Sequence, residues 1–301
     1  MPSFRAAPVR VRVPATSANL GPAFDSAGLA LALYDDVIVR VADSGLSVDV
    51  AGEGSGDLPR DKRHLVVKSL RAAFTALGGQ PRGLEVVCAN RIPQSRGLGS
   101  SSGAIVAAVM AARALVLGGE ELLDDDATLA LATELEGHPD NVAACLRGGL
   151  TFAWTSPSGV RVHRVDVHPD LAPVAFIPSS RASTKKVRGL LPETVPHADA
   201  AANAARTALL SLALTRSPEL LLDATEDRLH QSYRASAMPR TAALVEDLRA
   251  AGVPAVVSGA GPTVLALATR ATVDAVAARH PRGWEVLALP VESVGATVVP
   301  L

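Results

Sequence analysis

The chain has 301 residues, 48% hydrophobic and 20% charged, which is the balance of a globular protein and long enough for one large or two medium domains. Twenty-nine basic residues against 30 acidic ones leave a net charge of −1, and aromatics are only 3%. No global basic field or aromatic stacking surface is therefore expected for nucleic acid, nor a cationic face for a membrane. Cys88 and Cys145 stand at no metal-ligand spacing, so they read as reduced thiols in a cytoplasmic protein. Met1 to Val13 has no long apolar run, and no stretch approaches a membrane span.

Val9, Val11 and Val13 alternate with Arg10 and Arg12, which predicts a half-buried strand stopped by Pro14. Thr16 to Gly28 reads as a shaped loop entering a helix or turn. Tyr34 to Val41 predicts a strand, with Gly45 to Val50 as its partner. A Gly-rich loop follows, then a helix over His64 to Leu77 ended by Gly78-Gly79. Gly83 to Asn90 predicts a strand. Ala104 to Val116, apolar nearly all round, predicts a buried helix. Ala127 to Leu135 reads as helix, Gly148 to Trp154, Val160 to Val167 and Val174 to Ile177 as strands. Helices are expected over Asn203–Leu214, Glu219–His230, Thr241–Ala251 and Ala271–Arg279, and strands at Val256–Ser258, Thr263–Ala268 and Trp284–Leu289. Strands and helices mix without strict alternation, which favours α+β. The Ser156–Gly159 turn is the expected boundary between domains at 1–157 and 158–301, with a site in the cleft between them.

Three glycine loops carry the chemical signal. The central one runs Pro93, Gln94, Ser95, Arg96, Gly97, Leu98, Gly99, Ser100, Ser101, Ser102, Gly103, directly before the apolar helix. Glycines let backbone N–H groups approach an anion, and a helix N-terminus adds partial positive charge, so the loop suits phosphate. It equally suits an ordinary helix cap with a flexible turn. It is neither a Walker A loop nor a dinucleotide fingerprint, because the spacing fails. The first loop holds Asn19 and Asp25. The third is Ser258-Gly-Ala-Gly-Pro-Thr263. Alone, each of these two reads as a turn.

Together, in this order, the loops resemble the signature motifs of the galactokinase, homoserine kinase, mevalonate kinase and phosphomevalonate kinase superfamily. The resemblance is closest to homoserine kinases. Residues 13–25 differ from their Val-Pro-Ala-Thr-Ser-Ala-Asn-Leu-Gly-Pro-Gly-Phe-Asp stretch only at Ala23. Glu136 to Val142 match Glu-Gly-His-Pro-Asp-Asn-Val. Ser183, Thr184 and Arg188 match Ser-Thr-x-x-x-Arg, and Gly259 to Pro262 match the C-terminal turn. The departures are Ala23 for glycine, Ser102-Gly103 for Ala-Ala, His64 for asparagine near the adenine, and Ser232 for proline.

The resemblance implies a two-domain α+β kinase fold, with an N-terminal ribosomal-protein-S5-domain-2-like part and a C-terminal ferredoxin-like part. It implies ATP-dependent phosphorylation of the L-homoserine hydroxyl, a step toward threonine, with ATP on the central loop and His64. It implies Mg²⁺ on Ser101 and Glu134. Glu136 competes for that role, but two positions on one helix point about 200° apart, so one carboxylate is expected at the metal. Arg188 and Arg234 match the carboxylate-binding positions, and Asp25 the ammonium-binding one. Asn19 and Asn141 would aim the hydroxyl, with His138 and Thr184 nearby. Asn141 is the expected transition-state hydrogen bonder and Asp140 the reserve base, since a loose transition state needs little early deprotonation. Lys185 and Lys186 could steer phosphate. A homodimer is allowed. The competing readings are a kinase of another small alcohol such as mevalonate, and a non-catalytic ligand sensor on the same fold.

Overall fold

The computed structural model describes residues 2–181 and 187–299. In chain order the strands are β1 (Val9–Ala18), β2 (Ala27–Ala42), β3 (Gly45–Gly52), β4 (Gly83–Asn90), β5 (Leu150–Ser156), β6 (Gly159–Val165), β7 (Val174–Pro178), β8 (Ala255–Val257), β9 (Val264–Ala266), β10 (Trp284–Ala288) and β11 (Thr297–Val299). Seven form one sheet, ordered β11-β1-β2-β4-β3, with β5 joining the start of β2 and β6 beyond it. The other four form an antiparallel sheet, β10-β7-β9-β8.

β1 does not stop at Pro14. The register shifts between Pro14 and Ala15, and the strand continues to Ala18. A bulge is where a strand tolerates the missing N–H of proline. This extension carries the first glycine loop onto the sheet end, and the chain returns directly as β2, with no helix between. β3 pairs in parallel with β4 and not with β2, because β2 spends its far half on β4.

Helices α1 (Leu65–Ala76), α2 (Ser100–Leu115), α3 (Gly119–Leu122), α4 (Asp125–Glu136) and α5 (Asp140–Arg147) belong to the larger sheet. Their main core joins Val11, Val13 and Val39 of the strands to Leu70 and Phe74 of α1 and to Val106 of α2. α5 lies where the sequence suggested no element. Pro139 precedes it and Gly148 ends it, bracketing only eight residues.

The second half contributes α6 (His197–Thr215), α7 (Leu221–Ala224), α8 (Gln231–Arg234), α9 (Pro239–Ala250) and α10 (Val273–Ala277). The single helix expected over 219–230 breaks after Ala224. There the Asp227 carboxylate accepts the N–H groups of Leu229, His230 and Gln231, a side-chain turn that competes with helix. An apolar cluster including Leu20, Leu29, Leu98, Leu210 and Leu265 welds the two halves next to the glycine loops. The expected boundary at 157/158 cuts a hairpin, since β5 and β6 pair from Ser156–Gly159 to Leu150–Val165. Ser156-Pro-Ser-Gly159 is its turn and not a linker. β11 also returns to β1, so the larger sheet draws on both ends of the described chain.

Candidate active site

The three glycine loops meet at the end of β1. Thr16 N–H donates to the Leu98 carbonyl at 3.0 Å, Gly259 N–H to Ala18 at 3.1 Å, and Thr263 N–H to Arg96 at 3.2 Å. The Ser258 hydroxyl lies 2.8 Å from Ser17 Oγ and 2.6 Å from the Gly97 carbonyl, touching both other loops. Gly97 and Gly99 take φ of +79° and +70°, and a Cβ on them would overlap the Ser258 carbonyl and the Thr16 hydroxyl respectively. Only glycine fits both the conformation and the approach.

Gly99 is the N-cap of α2 and provides no side-chain cap. The first N–H groups of such a helix have no partner within it, which leaves donors at Ser100 to Ser102 for an anion. Ser100 and Ser101 line a cavity of about 470 Å³ that also takes in Gly97, Leu98 and Ala104. Other parts of the expected ATP loop serve the fold. Pro93 is buried and lines a different, shallower depression. Gly103 packs at the start of α2 near Val13. Arg96 borders the cavity, but its guanidinium donates to the carbonyls of Gln94, Pro178 and Ser179, at 3.0, 2.8 and 2.9 Å. It ties the loop to β7.

One end of the cavity is apolar, with Val37, Leu58, Leu65 and Val66 beside Asp35 and His64. His64 caps α1, its Nδ1 accepting the Val66 N–H at 3.2 Å. Its Nε2 is buried without a partner, and burial lowers the imidazole pKa, favouring the neutral ring. Asp35 faces inward from β2 and is only 5% exposed. Its Oδ1 accepts the N–H groups of Arg91 at 2.6 Å and Ile92 at 2.8 Å.

The other end gathers the charged residues. Arg188 grips Asp25 with two bonds of 2.7 Å. Both Arg188 and Arg234 stack on Phe24, at 5.3 and 5.1 Å from the ring centre. Arg234 is 2% exposed, its Nε has no partner, and among the described residues no carboxylate pairs with it. Burial, followed by repulsion from Arg188, lowers its pKa. Asn141 Oδ1 accepts the Thr16 hydroxyl at 2.8 Å, leaving its amide N–H₂ as the donor end. The buried Asp140 carboxylate lies 2.6 Å from His138 Nδ1 and accepts the Asn141 N–H at 2.7 Å. That contact raises the His138 pKa. Asn19 lines the cavity and ties two loops: Nδ2 donates to the Gly259 carbonyl at 3.0 Å and Oδ1 accepts the Asp25 N–H at 2.9 Å. Its amide nitrogen carries a second hydrogen that neither bond uses. Thr184, with Ser183, Lys185 and Lys186, lies outside the described residues.

Of the two glutamates considered in the sequence, Glu136 lines the cavity and Glu134 does not. Glu134 is exposed and off the cavity. Glu136 Oε1 accepts the hydroxyls of both Ser101 and Ser102, each at 2.7 Å. Glu136 ends α4, where the following Gly137 takes a left-handed conformation and turns the chain back toward α2. Sequence reading weighed Glu136 but gave no role to Thr16, Ser17 or Asp35. For Asp35 a signal existed: it interrupts the inward row that Val37 and Val39 continue.

Residues 64–149 match the N-terminal domain of GHMP kinases, and residues 201–286 match the GHMP kinase C-terminal domain. Curated homoserine kinases of Streptomyces avermitilis and Streptomyces coelicolor are each 64% identical over 300 residues, covering 100% of this chain and 98% and 97% of theirs. The chain belongs to the homoserine kinases of the GHMP kinase family. A crystal structure of homoserine kinase from Cytophaga hutchinsonii superposes with a TM-score of 0.80 at 26% identity, covering 99% of both chains. Mevalonate kinase from L. major, solved with R-mevalonate, shares the fold at a TM-score of 0.71 and 18% identity, over 98% of this chain and 100% of that one. The two-domain α+β kinase fold is thus that of the family. No helix among the described residues is long and apolar enough to cross a membrane.

Proposed function

We propose that the chain transfers the γ-phosphoryl group of ATP to the side-chain hydroxyl of L-homoserine, giving O-phospho-L-homoserine and ADP on the way to threonine. The observation that carries this reading is the charge pattern beside the glycine loop. A buried arginine without a carboxylate partner, Arg234, adjoins the Asp25–Arg188 pair in the same cavity. A zwitterion satisfies that pattern: its carboxylate completes Arg234 and Arg188, and its ammonium takes Asp25. Mevalonate, which has no ammonium, would leave Asp25 with Arg188 as its charged partner and gain nothing from it.

Phosphoryl transfer through a loose transition state depends on positioning and on charge stabilisation more than on an early base. The N–H groups of Ser100 and Ser101 hold phosphate oxygens. The Asn141 amide, fixed by Thr16, aims the acceptor hydroxyl, and Asp140 is the carboxylate placed to take its proton. His138 keeps Asp140 oriented. Glu136 with the Ser101 and Ser102 hydroxyls supplies three oxygens at one point, a set of hard donors that suits Mg²⁺ when phosphate oxygens complete the shell. Bound there, the ion would neutralise charge on the phosphates.

The test is ADP release from Mg-ATP with L-homoserine, D-homoserine, L-threonine, mevalonate and no acceptor, with the product identified by mass. Turnover with L-homoserine and a phosphohomoserine product is expected. Turnover with mevalonate in its place would overturn the roles of Asp25, Arg188 and Arg234. ATP binding without turnover would leave a sensor on a kinase fold.

A further inference from the structure

Asp35 sits opposite Val13 on β1, five residues from Ala18. At about 3.3 Å per residue that is roughly 16 Å from the end that holds Asp25. It therefore belongs to the apolar end of the cavity, with Leu58, Leu65 and His64. A carboxylate there is expensive for the fold: it lies at an inward strand position, it is buried, and among the described residues no cation pairs with it. Only Oδ1 is used, by the two backbone N–H groups; among the described residues nothing donates to Oδ2. His64 is the complementary case. Because Nδ1 accepts the Val66 N–H, the neutral ring carries its proton on Nε2, and that buried donor has no partner. The cavity end thus offers a spare acceptor between apolar walls, while the His64 donor is sealed within the wall. Adenine presents the matching group, an exocyclic amine that donates, on a flat ring that suits the apolar walls.

We propose that Asp35 is the base-reading residue of this kinase: its Oδ2 accepts the six-amino N–H of adenine. The inference rests on the ATP-dependent reading above and adds a nucleotide specificity to it. A six-keto purine puts an oxygen lone pair against the carboxylate and is rejected. A purine without a six-substituent leaves Asp35 unanswered and binds weakly. The alternative is that Asp35 only anchors the Arg91–Ile92 backbone. Asp35→Asn separates the two, because its amide oxygen still accepts those N–H groups while its N–H₂ tolerates a six-keto oxygen.

The experiment measures kcat/KM for ATP, inosine triphosphate and purine riboside triphosphate at saturating L-homoserine, and the Kd of the three diphosphates by calorimetry, in the intact wild-type protein and in Asp35→Asn. A hydrogen bond to a charged group sets the scale, about 10- to 100-fold. The wild type is expected to prefer the adenine nucleotide over both others by that factor. Asp35→Asn is expected to lose most of the preference over inosine, with the KM for L-homoserine unchanged. Equal wild-type affinity for ADP and purine riboside diphosphate overturns the proposal, and so does an unchanged adenine-to-inosine ratio in the variant. If the variant fails to fold, the wild-type comparison alone decides. Base discrimination in binding without homoserine-dependent turnover would uphold Asp35 and refute the kinase reading.

Discussion

Asp35→Asn should stabilise the protein more in alkaline than in acidic solution. Burial, reinforced by repulsion from Asp36 and Glu53 and opposed by the Ile92 and Arg91 N–H groups, pushes the carboxyl from its ordinary 3.8 up to about 6. At about 1.4 kcal/mol per tenfold change in acidity, ionising it costs the folded state about 3 kcal/mol at pH 8. Between the two values the folded chain holds a proton that the unfolded chain has lost. Stability therefore falls as pH rises from about 4 to about 6, and levels off above. Near pH 4.5 the cost is about 1 kcal/mol, so the variant should gain about 2 kcal/mol relative to wild type between pH 4.5 and pH 8. For a chain of this length that is a differential Tm shift of about 3 °C. Thermal and urea unfolding of both proteins at the two pH values measure it, with the remaining titrations cancelling. A stability difference independent of pH would show that Asp35 titrates as a solvated carboxyl. A gain confined to acid would show that its charged form is the stabilised one.

Glu136→Gln should cut Mg²⁺-dependent turnover at least tenfold and raise the Mg²⁺ requirement, while Glu134→Gln should match wild type; equal loss in both would return the role to neither. Arg234→Met should raise the apparent Kd for L-homoserine by about 30-fold or more, since a substrate carboxylate loses a buried charge partner, without lowering Tm, because the same charge is unpaired in the free protein. Calorimetry and melting on one preparation check both halves. Gly99→Ala should abolish nucleotide binding even if the chain folds, because its Cβ enters the space of the Thr16 hydroxyl at a left-handed φ. Retained ADP binding would argue that the loop is not the cradle.

Periodicity made most elements legible. The extents of β4 and α1 follow from alternation and from Gly78-Gly79, and the burial of α2 from its lack of a polar face. Local pattern failed where a tertiary partner decided the outcome. Pro14 reads as a stop until the bulge opposite Tyr34 absorbs it. Ser156-Pro-Ser-Gly159 reads as a linker until β6 folds back on β5. The motif placed Asp25, Arg188, Arg234 and Asn141 in one cavity, yet left open which glutamate meets the serines. The crossing of α4 over the start of α2 settles that, and no spacing rule encodes it. Asn19 shows what the motif does not announce: a residue at the site that also holds two loops together.

The Ser258 hydroxyl, wedged between Ser17 and Gly97, also sets a timetable for folding. It stands 241 residues from Ser17 and 161 from Gly97 along the chain. Most of the core that β1 and α2 share comes from the first half, but the cradle lacks its keystone until β8 and β9 have docked. Contacts of such long sequence separation form late. During synthesis the polypeptide should acquire compact structure well before it acquires affinity for nucleotide, and ATP should act as a ligand of the finished molecule and not as a scaffold for the growing one.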